Sequence, residues 1–326
     1  MLAETIFSIQ DDIEFKETAL KVFKHQYTNN NTYQRFCNLL GITKTSVHLL
    51  EDIPYLPIDF FKQKKIVSTT APVAKIFTSS GTTGSTTSKH YVNNLSIYEQ
   101  SFRLGFKHFY GEIEEYTILA LLPSYLEREG SSLVYMAEKL IQDSNQTLSG
   151  FYLYDIKKLV GVIKQLISEN KKILLLGVSF ALLDLVEEYS LRLPPDTIVM
   201  ETGGMKGRRK ELIREELHLL LKKGFGISKI HSEYGMTELL SQAYSYGDGL
   251  FYPPPWMRVS IRNPEDPLTT LEKGRTGGIN IIDLANIDSC SFIATQDLGK
   301  LHEKNSFEII GRFDHSDIRG CNLMAL

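Results

Sequence analysis

Between about residue 75 and residue 245 the chain alternates short apolar runs with turns and helix-like stretches, and this alternation limits its fold more than any other feature. The runs are Ile76-Phe-Thr, Tyr116 to Pro123, Ile173 to Val178, Thr197 to Glu201 and Ile227 to Ser232. The repeat predicts an α/β protein with mainly parallel strands and helices on both faces, because parallel neighbours need a crossover and a helix supplies it. Ligands of such sheets bind at the carboxyl ends of the strands, where the Gly-rich segments of this sequence fall. Before residue 70, apolar positions such as Tyr33, Phe36, Cys37 and Leu40 have helical spacing, and the prolines of Ile53-Pro-Tyr-Leu-Pro-Ile-Asp-Phe-Phe61 favour an extended path. After Pro253-Pro-Pro-Trp256 the pattern changes to β-like runs at Arg258 to Arg262, Gly278 to Leu284, Ser291 to Thr295 and Phe307 to Gly311. The expected division is a helical cap over residues 1–70, an α/β core over 71–252, and a small β-rich subdomain with a tail over 253–326.

Composition excludes several classes. A chain of 326 residues, 42% of them hydrophobic, has room for a large core. A net charge of −3 with scattered Lys and Arg argues against nucleic acid as a partner. The first twelve residues have neither a basic start nor an apolar core, and the run Ile173 to Val178 is too short to span a bilayer, so a cytoplasmic protein without a transmembrane segment is expected. Cys37, Cys290 and Cys321 lie far apart with no Cys-x-x-Cys pair, which indicates neither a disulfide framework nor a zinc site. Cys37 and Cys290 fit core packing, and a free thiol remains open for Cys321.

The first strand-like run opens into Thr78-Ser-Ser-Gly-Thr-Thr-Gly-Ser-Thr-Thr-Ser88. Gly81 and Gly84 let the backbone turn tightly and approach a ligand, while Ser79, Ser80, Thr82 and Thr83 offer uncharged donors, a combination suited to phosphate. The loop is neither a Walker loop, since Thr86 stands where its second Gly belongs, nor a Gly-x-Gly-x-x-Gly turn. Taken alone it reads either as a third kind of phosphate loop or as a Ser/Thr-rich surface loop. Two later turns repeat the theme. Ile198-Val-Met-Glu-Thr-Gly-Gly204 runs a strand into Gly203 and Gly204, whose exposed backbone suits a flat ring. Ile230-His-Ser-Glu-Tyr-Gly-Met-Thr-Glu238 presents an aromatic ring, a hydroxyl and a carboxylate in five residues. Glu238 is either a carboxylate for a magnesium–phosphate complex or an acid in a helix first turn capped by Thr237.

Four motifs in this order, Ser79-Ser-Gly-Thr-Thr-Gly84, Glu233-Tyr-Gly-Met-Thr-Glu238, Thr295-Gln-Asp-Leu-Gly299 and Ile310-Gly-Arg312, resemble the core motifs of the adenylate-forming superfamily of acyl- and aryl-CoA ligases and luciferases. Within it, Tyr55-Leu-Pro-Ile-Asp-Phe-Phe61, Leu122-Pro-Ser-Tyr-Leu-Glu-Arg128, Glu201-Thr-Gly-Gly-Met-Lys-Gly207 and Arg319-Gly-Cys321 look like the LuxE-type acyl-protein synthetases, over nearly the whole chain. The resemblance implies the large domain of an adenylate-forming enzyme that uses ATP and Mg²⁺. By similarity, Ser79 to Gly84 clasp the phosphates, Gly203, Gly204, Tyr234 and Gly235 line the nucleotide, and Thr237 with Glu238 hold phosphate and metal. Asp297 and Arg312 would fix the ribose. A carboxylate suits that task because it accepts from both ribose hydroxyls; the alternative for Asp297 is a turn aspartate before Leu-Gly.

Two departures stand out. The superfamily follows its loop with a proline–lysine pair, whereas here Ser85-Thr-Thr-Ser precedes Lys89; Lys89 and Lys206 are the candidate phosphate lysines, or else solvated surface lysines. The sequence also ends soon after Arg312, so the superfamily's C-terminal lysine domain is expected to be absent. That favours an acceptor other than coenzyme A. LuxE-type enzymes are acylated on a cysteine near the C-terminus and pass the acyl group to a partner reductase. The resemblance therefore makes Cys321, two residues after Arg319, the candidate nucleophile, against the alternative of a small apolar residue. The resemblance also implies that Gly130, Ser131 and Ser132 border the acid head group, since their segment lies where the superfamily builds its carboxylate site. Three functions follow: an ATP-dependent acyl-protein synthetase for a fatty acid feeding an acyl reductase, an acyl- or aryl-CoA ligase without its own C-terminal domain, and a non-catalytic nucleotide-binding subunit of a reductase complex.

Overall fold

In the computed structural model the residues described are 2–79, 87–123, 130–203 and 212–313. The apolar runs become strands because both of their faces are covered. In β4 (Tyr116–Leu121), Leu119 and Leu121 point to one side and Ile118 and Ala120 to the other, and all four are buried. β6 (Lys172–Val178) and β7 (Ile198–Thr202) divide in the same way, which is why they read as continuous apolar runs rather than alternating ones. Helices α7 (Ile156–Ser168), α8 (Ser179–Glu188) and α9 (Arg214–Phe225) cover the Leu119 side with Leu159, Ile163, Leu182, Leu221 and Phe225. On the opposite side lie α5 (Leu95–Tyr110), with Tyr98, Phe102 and Phe106 buried, and α6 (Ser132–Ser144).

Among the described residues one sheet runs in the order β11-β12-β13-β14-β10-β9-β8-β7-β6-β4-β5. Its strands besides those above are β5 (Gly150–Phe151), β8 (His231–Tyr234), β9 (Ala243–Ser245), β10 (Leu250–Tyr252), β11 (Met257–Arg262), β12 (Thr276–Asp283), β13 (Phe292–Leu301) and β14 (Phe307–Arg312). Pairing is parallel from β5 through β8 and antiparallel from β8 onward. The β-like runs after Trp256 thus form an antiparallel meander continuous with the parallel half.

The N-terminal helices pack on that meander. α1 spans Leu2–Ile6, α2 Asp12–Asn29 and α3 Asn31–Leu39. Phe23 and Tyr33 meet Phe292 of β13 at ring-centroid distances of 6.3 and 5.9 Å. The buried Gln26 side chain donates to the carbonyls of Asn286 and Ile287 and accepts from the Ser291 amide.

Two expectations are corrected. The proline-rich run is extended at Ile53 and in β1 (Leu56–Pro57), which pairs parallel with β13, but its end closes into a helical turn, α4 (Phe60–Gln63). Once past Pro57 no proline removes a donor, and the amides of Phe61, Lys62 and Lys64 find carbonyls at Ile58, Asp59 and Phe60. Ile76-Phe-Thr lies outside the main sheet: β2 (Lys75–Thr78) pairs antiparallel with β3 (Lys89–Val92), so the Gly/Ser/Thr loop joins a hairpin instead of leading from a parallel strand into a helix. A strand's alternation says which side is buried but not which strand it pairs with; Ile76 is exposed and Phe77 buried, which a two-stranded ribbon satisfies. No helix among the described residues is long and apolar enough to cross a membrane.

Candidate active site

β8, the turn after it, β13 and β14 converge on one carboxylate. Asp297 and Arg312 are direct partners across β13 and β14, which brings Arg312 Nε to 3.0 Å from Asp297 Oδ1. From the end of β8 the buried Tyr234 hydroxyl donates to Asp297 Oδ2 at 2.8 Å. Asp297 is 6% exposed and its amide is bonded to Thr295 Oγ1. The Arg312 side chain is about half exposed, at 52%. Among the described residues each oxygen of Asp297 has one donor, which orients the carboxylate and leaves it able to accept from a ligand. It lies within a ten-residue strand, not in a turn.

The segment after β8 is pinned by residues that flank the Gly/Ser/Thr loop. His90 Nδ1, on β3, lies 2.8 Å from the Thr237 carbonyl. A carbonyl only accepts, so Nδ1 carries the proton, and burial lowers the His90 pKa to about 4, leaving the ring neutral. Ser88 hydrogen-bonds the Glu238 carboxyl through its side chain, while its amide donates to Ser79 Oγ at 3.0 Å. One residue therefore ties the base of the loop to Glu238. Asn286 donates to the Glu238 carbonyl at 2.8 Å. Residues 237 and 238 form a turn between β8 and β9, so the helix first turn considered for them is not formed. Glu238 is 5% exposed; burial raises its pKa, and the Ser88 hydrogen bond and the charges of Arg312 and Lys62 pull it back.

The glycines have local reasons. Gly203 ends β7 at φ +72°, and its carbonyl accepts from Ser179 Oγ at 2.9 Å. At Gly235 a Cβ would lie 2.5 Å from Glu233 Oε1. Ser80, Gly81, Thr82, Thr83, Gly84, Gly204, Lys206 and Cys321 lie outside the described residues. Lys89 is an exposed residue of β3. Of the residues considered for the acid head group, Ser131 caps α6 by accepting from the Val134 amide, and the Gly130 carbonyl accepts from the Thr78 amide at 2.7 Å. Cys37 and Cys290 are buried, and burial pushes both thiols up to about 12, which leaves them protonated core residues.

Residue-by-residue reading of the sequence assigns no role to Glu233, Ser88, His90 or Lys62. Glu233 is bonded to Thr202 Oγ1, and burial, reinforced by the charge of Glu201, pushes its carboxyl up to about 7. Lys62 pairs with Asp59 at 2.7 Å, and Asp59 accepts from Gln296 of β13 at 2.7 Å. Lys62 directly follows the motif ending at Phe61, the one available signal for it.

As a test of fit for the implied groups, Asp297 and Arg312 supply an oriented acceptor pair and a partly exposed cation, as a ribose and a phosphate require. Among the described residues no three His, Cys, Asp or Glu side chains are grouped to hold a metal ion. Glu238 is a single carboxylate, the donor set Mg²⁺ uses when phosphate oxygens and water complete its shell.

Residues 6–325 match the family described as "Acyl-protein synthetase, LuxE". Two curated relatives are the long-chain-fatty-acid–luciferin-component ligases of Aliivibrio fischeri and Vibrio harveyi. Each is 23% identical, over 97% of this chain and 89% of the relative. Among solved structures, an open conformation of 2-hydroxyisobutyryl-CoA ligase with 2-HIB-AMP and CoA superposes with a TM-score of 0.69 at 12% identity, over 94% of this chain and 72% of that one. ATP-bound MatB from Rhodopseudomonas palustris gives 0.55 at 18% identity over 74% of this chain. The chain spans about half the length of MatB, 48% of it. O-succinylbenzoate coenzyme A synthetase (MenE) from Bacillus subtilis, in complex with AMP, gives 0.51 at 18% identity, over 76% of this chain and 51% of that one. The fold shared with these proteins is that of the adenylate-forming ligases.

Proposed function

The chain belongs to the LuxE acyl-protein synthetase family, and on that premise we propose that it activates a carboxylic acid of the long-chain fatty type as an acyl-adenylate and passes the acyl group to a protein thiol. The observation that carries this reading is the buried Asp297 carboxylate clasped by Tyr234 and Arg312 beside Glu238. It supports a nucleotide whose ribose lies over Asp297 and whose phosphates point toward Glu238 and the base of the Gly/Ser/Thr loop.

The chemistry needs both ends of that site. A carboxylate oxygen of the acid attacks the α-phosphorus of ATP, the bond from that phosphorus to the bridging oxygen breaks, and pyrophosphate leaves. Two anions must approach, so cationic side chains and hydrogen-bond donors at the phosphates lower the barrier. Mg²⁺ held at Glu238 would add charge neutralisation there. In the second step a thiolate attacks the acyl carbon, AMP departs with the electron pair, and the thiol's proton goes to solvent. Cys321 is the proposed thiol, and an acyl reductase is the proposed consumer of the thioester.

The similarity to 2-hydroxyisobutyryl-CoA ligase favours a second reading, in which coenzyme A is the acceptor. Incubation of the purified chain with labelled long-chain fatty acid, MgATP and coenzyme A separates the two. Hydroxylamine-sensitive label on the protein, lost in Cys321→Ser, is expected; free acyl-CoA formed at steady turnover, with no label on protein, would replace the first reading by the second.

A further inference from the structure

The described part of the site has two carboxylates, Glu238 and Asp297, and a single arginine, Arg312, whose Nε is already bonded to Asp297. A nucleoside triphosphate would bring several more negative charges. Lys89, the lysine next after the Gly/Ser/Thr loop, is an exposed residue of the hairpin strand. Among the described residues α4 also reaches this site: the Phe61 ring lies 5.8 Å from the His90 ring, His90 holds the Thr237 carbonyl at 2.8 Å, and the charge of the next residue, Lys62, bears on Glu238.

Lys62 is delivered there by a chain of contacts. β1 pairs with β13 at Leu56–Ile293 and Pro57–Ala294, and the Ile58 amide continues the ladder to the Ala294 carbonyl at 3.0 Å. The next residue, Asp59, accepts from Gln296 Nε2 at 2.7 Å through Oδ2. Gln296 immediately precedes Asp297 on β13, so α4 is stitched to the strand that carries the ribose candidate. Asp59 Oδ1 then holds Lys62 Nζ at 2.7 Å, with both side chains 37% exposed. An exposed pair of this kind is weak, so the ammonium can be drawn off by a stronger anion. Asp59 would keep its Gln296 partner after the exchange.

Resting on the nucleotide reading above, we propose that Lys62 is a phosphate-binding residue of this site, which exchanges Asp59 for the oxygens of the β- and γ-phosphates on the Glu238 side. A point-charge ammonium on a flexible stem suits this, since it can follow the phosphates as pyrophosphate separates. The role falls to a lysine that precedes the Gly/Ser/Thr loop in sequence, and β1 and α4 form the short ladder and turn that hold it in place.

The test is calorimetric titration of the full chain with MgATP and separately with AMP, for wild type, Lys62→Met and Lys62→Arg. The expected result is a loss of at least about tenfold in ATP affinity for Lys62→Met, with AMP affinity within about twofold of wild type and partial recovery in Lys62→Arg. An equal loss for ATP and AMP would assign Lys62 a structural role and overturn the proposal, as would unchanged ATP affinity. Failure of the wild type to bind either nucleotide would overturn the functional reading itself.

Discussion

Tyr234 and Asp297, sixty-three positions apart in sequence, meet in a 2.8 Å hydrogen bond from the phenol to Oδ2. Burial, then the Asp297 charge, raises the Tyr234 pKa well above its ordinary value, so the phenol stays a donor throughout the working range. The bond holds the carboxylate plane while Arg312 takes the other oxygen. It joins the parallel half of the sheet to the antiparallel half at the place where the nucleotide is proposed to lie.

Tyr234→Phe removes that donor and keeps the ring packed against Phe251 and Phe307. A hydrogen bond to a charged group contributes about 1.5–3 kcal/mol, so the KM for ATP in fatty-acid-dependent pyrophosphate exchange should rise by at least about tenfold. The KM for the fatty acid should hardly move. Equal changes in both would mean that the phenol supports the fold and not the nucleotide.

Glu238→Gln keeps the shape of the side chain and removes its charge. Exchange activity should fall by about a hundredfold or more, with a shift to higher Mg²⁺ concentration in whatever activity remains. Ser88→Ala, which strips the hydrogen bond opposing the upward shift of Glu238, should raise the acid limb of the pH–rate profile. An unaltered Mg²⁺ dependence in Glu238→Gln would remove the metal role from this residue.

Glu233 gives a stability signature with a definite sign. Its folded-state pKa, about 7, lies above the ordinary 4.5, so the folded protein binds the extra proton between those values and its stability falls as pH rises through that window. Glu233→Gln stays neutral and can keep a hydrogen bond to Thr202. The melting temperature of the variant relative to wild type should therefore climb from pH 5 to pH 7 and level off above. A difference that is flat over that range would show that Glu233 is not buried in its acid form.

Phe292 lies at the contact between α2, α3 and the meander, fully buried between Phe23 and Tyr33. Phe292→Ala should destabilise the chain by about 3–5 kcal/mol in urea unfolding. Because β1 and α4 are stitched to the same strand, ATP affinity should weaken in the variant at urea concentrations that leave the wild type unaffected.

Several elements were legible because one local property decides them. Ile173 to Val178 and Thr197 to Glu201 appear almost as expected, as Lys172–Val178 and Ile198–Thr202, since a run apolar on both faces has few places to go except a covered parallel strand. Ile227 to Ser232 shows the limit of that signal. Ile227 and Ile230 are buried against the α7–α9 side, but the strand begins only at His231, because the Ile227 amide is spent on the Lys222 carbonyl at the end of α9. Periodicity reports burial, whereas strand pairing depends on which backbone groups remain free.

The candidate site divides along the same line. Residue type and order brought out the Gly/Ser/Thr loop and the turn with Tyr234, Thr237 and Glu238, because phosphate and Mg²⁺ each demand particular donors and acceptors and those demands are local; Gly235, Asp297 and Arg312 came from the resemblance to the adenylate-forming motifs. That Tyr234 and Arg312 take opposite oxygens of Asp297, that Ser88 links the loop base to Glu238, and that Lys62 approaches through Asp59 and Gln296 were decided by the tertiary structure. Each of these contacts depends on strand register between segments far apart in sequence, and so do the charges of Glu233 and Glu238, because a carboxyl's ionisation answers to burial and neighbours that only the folded chain assembles.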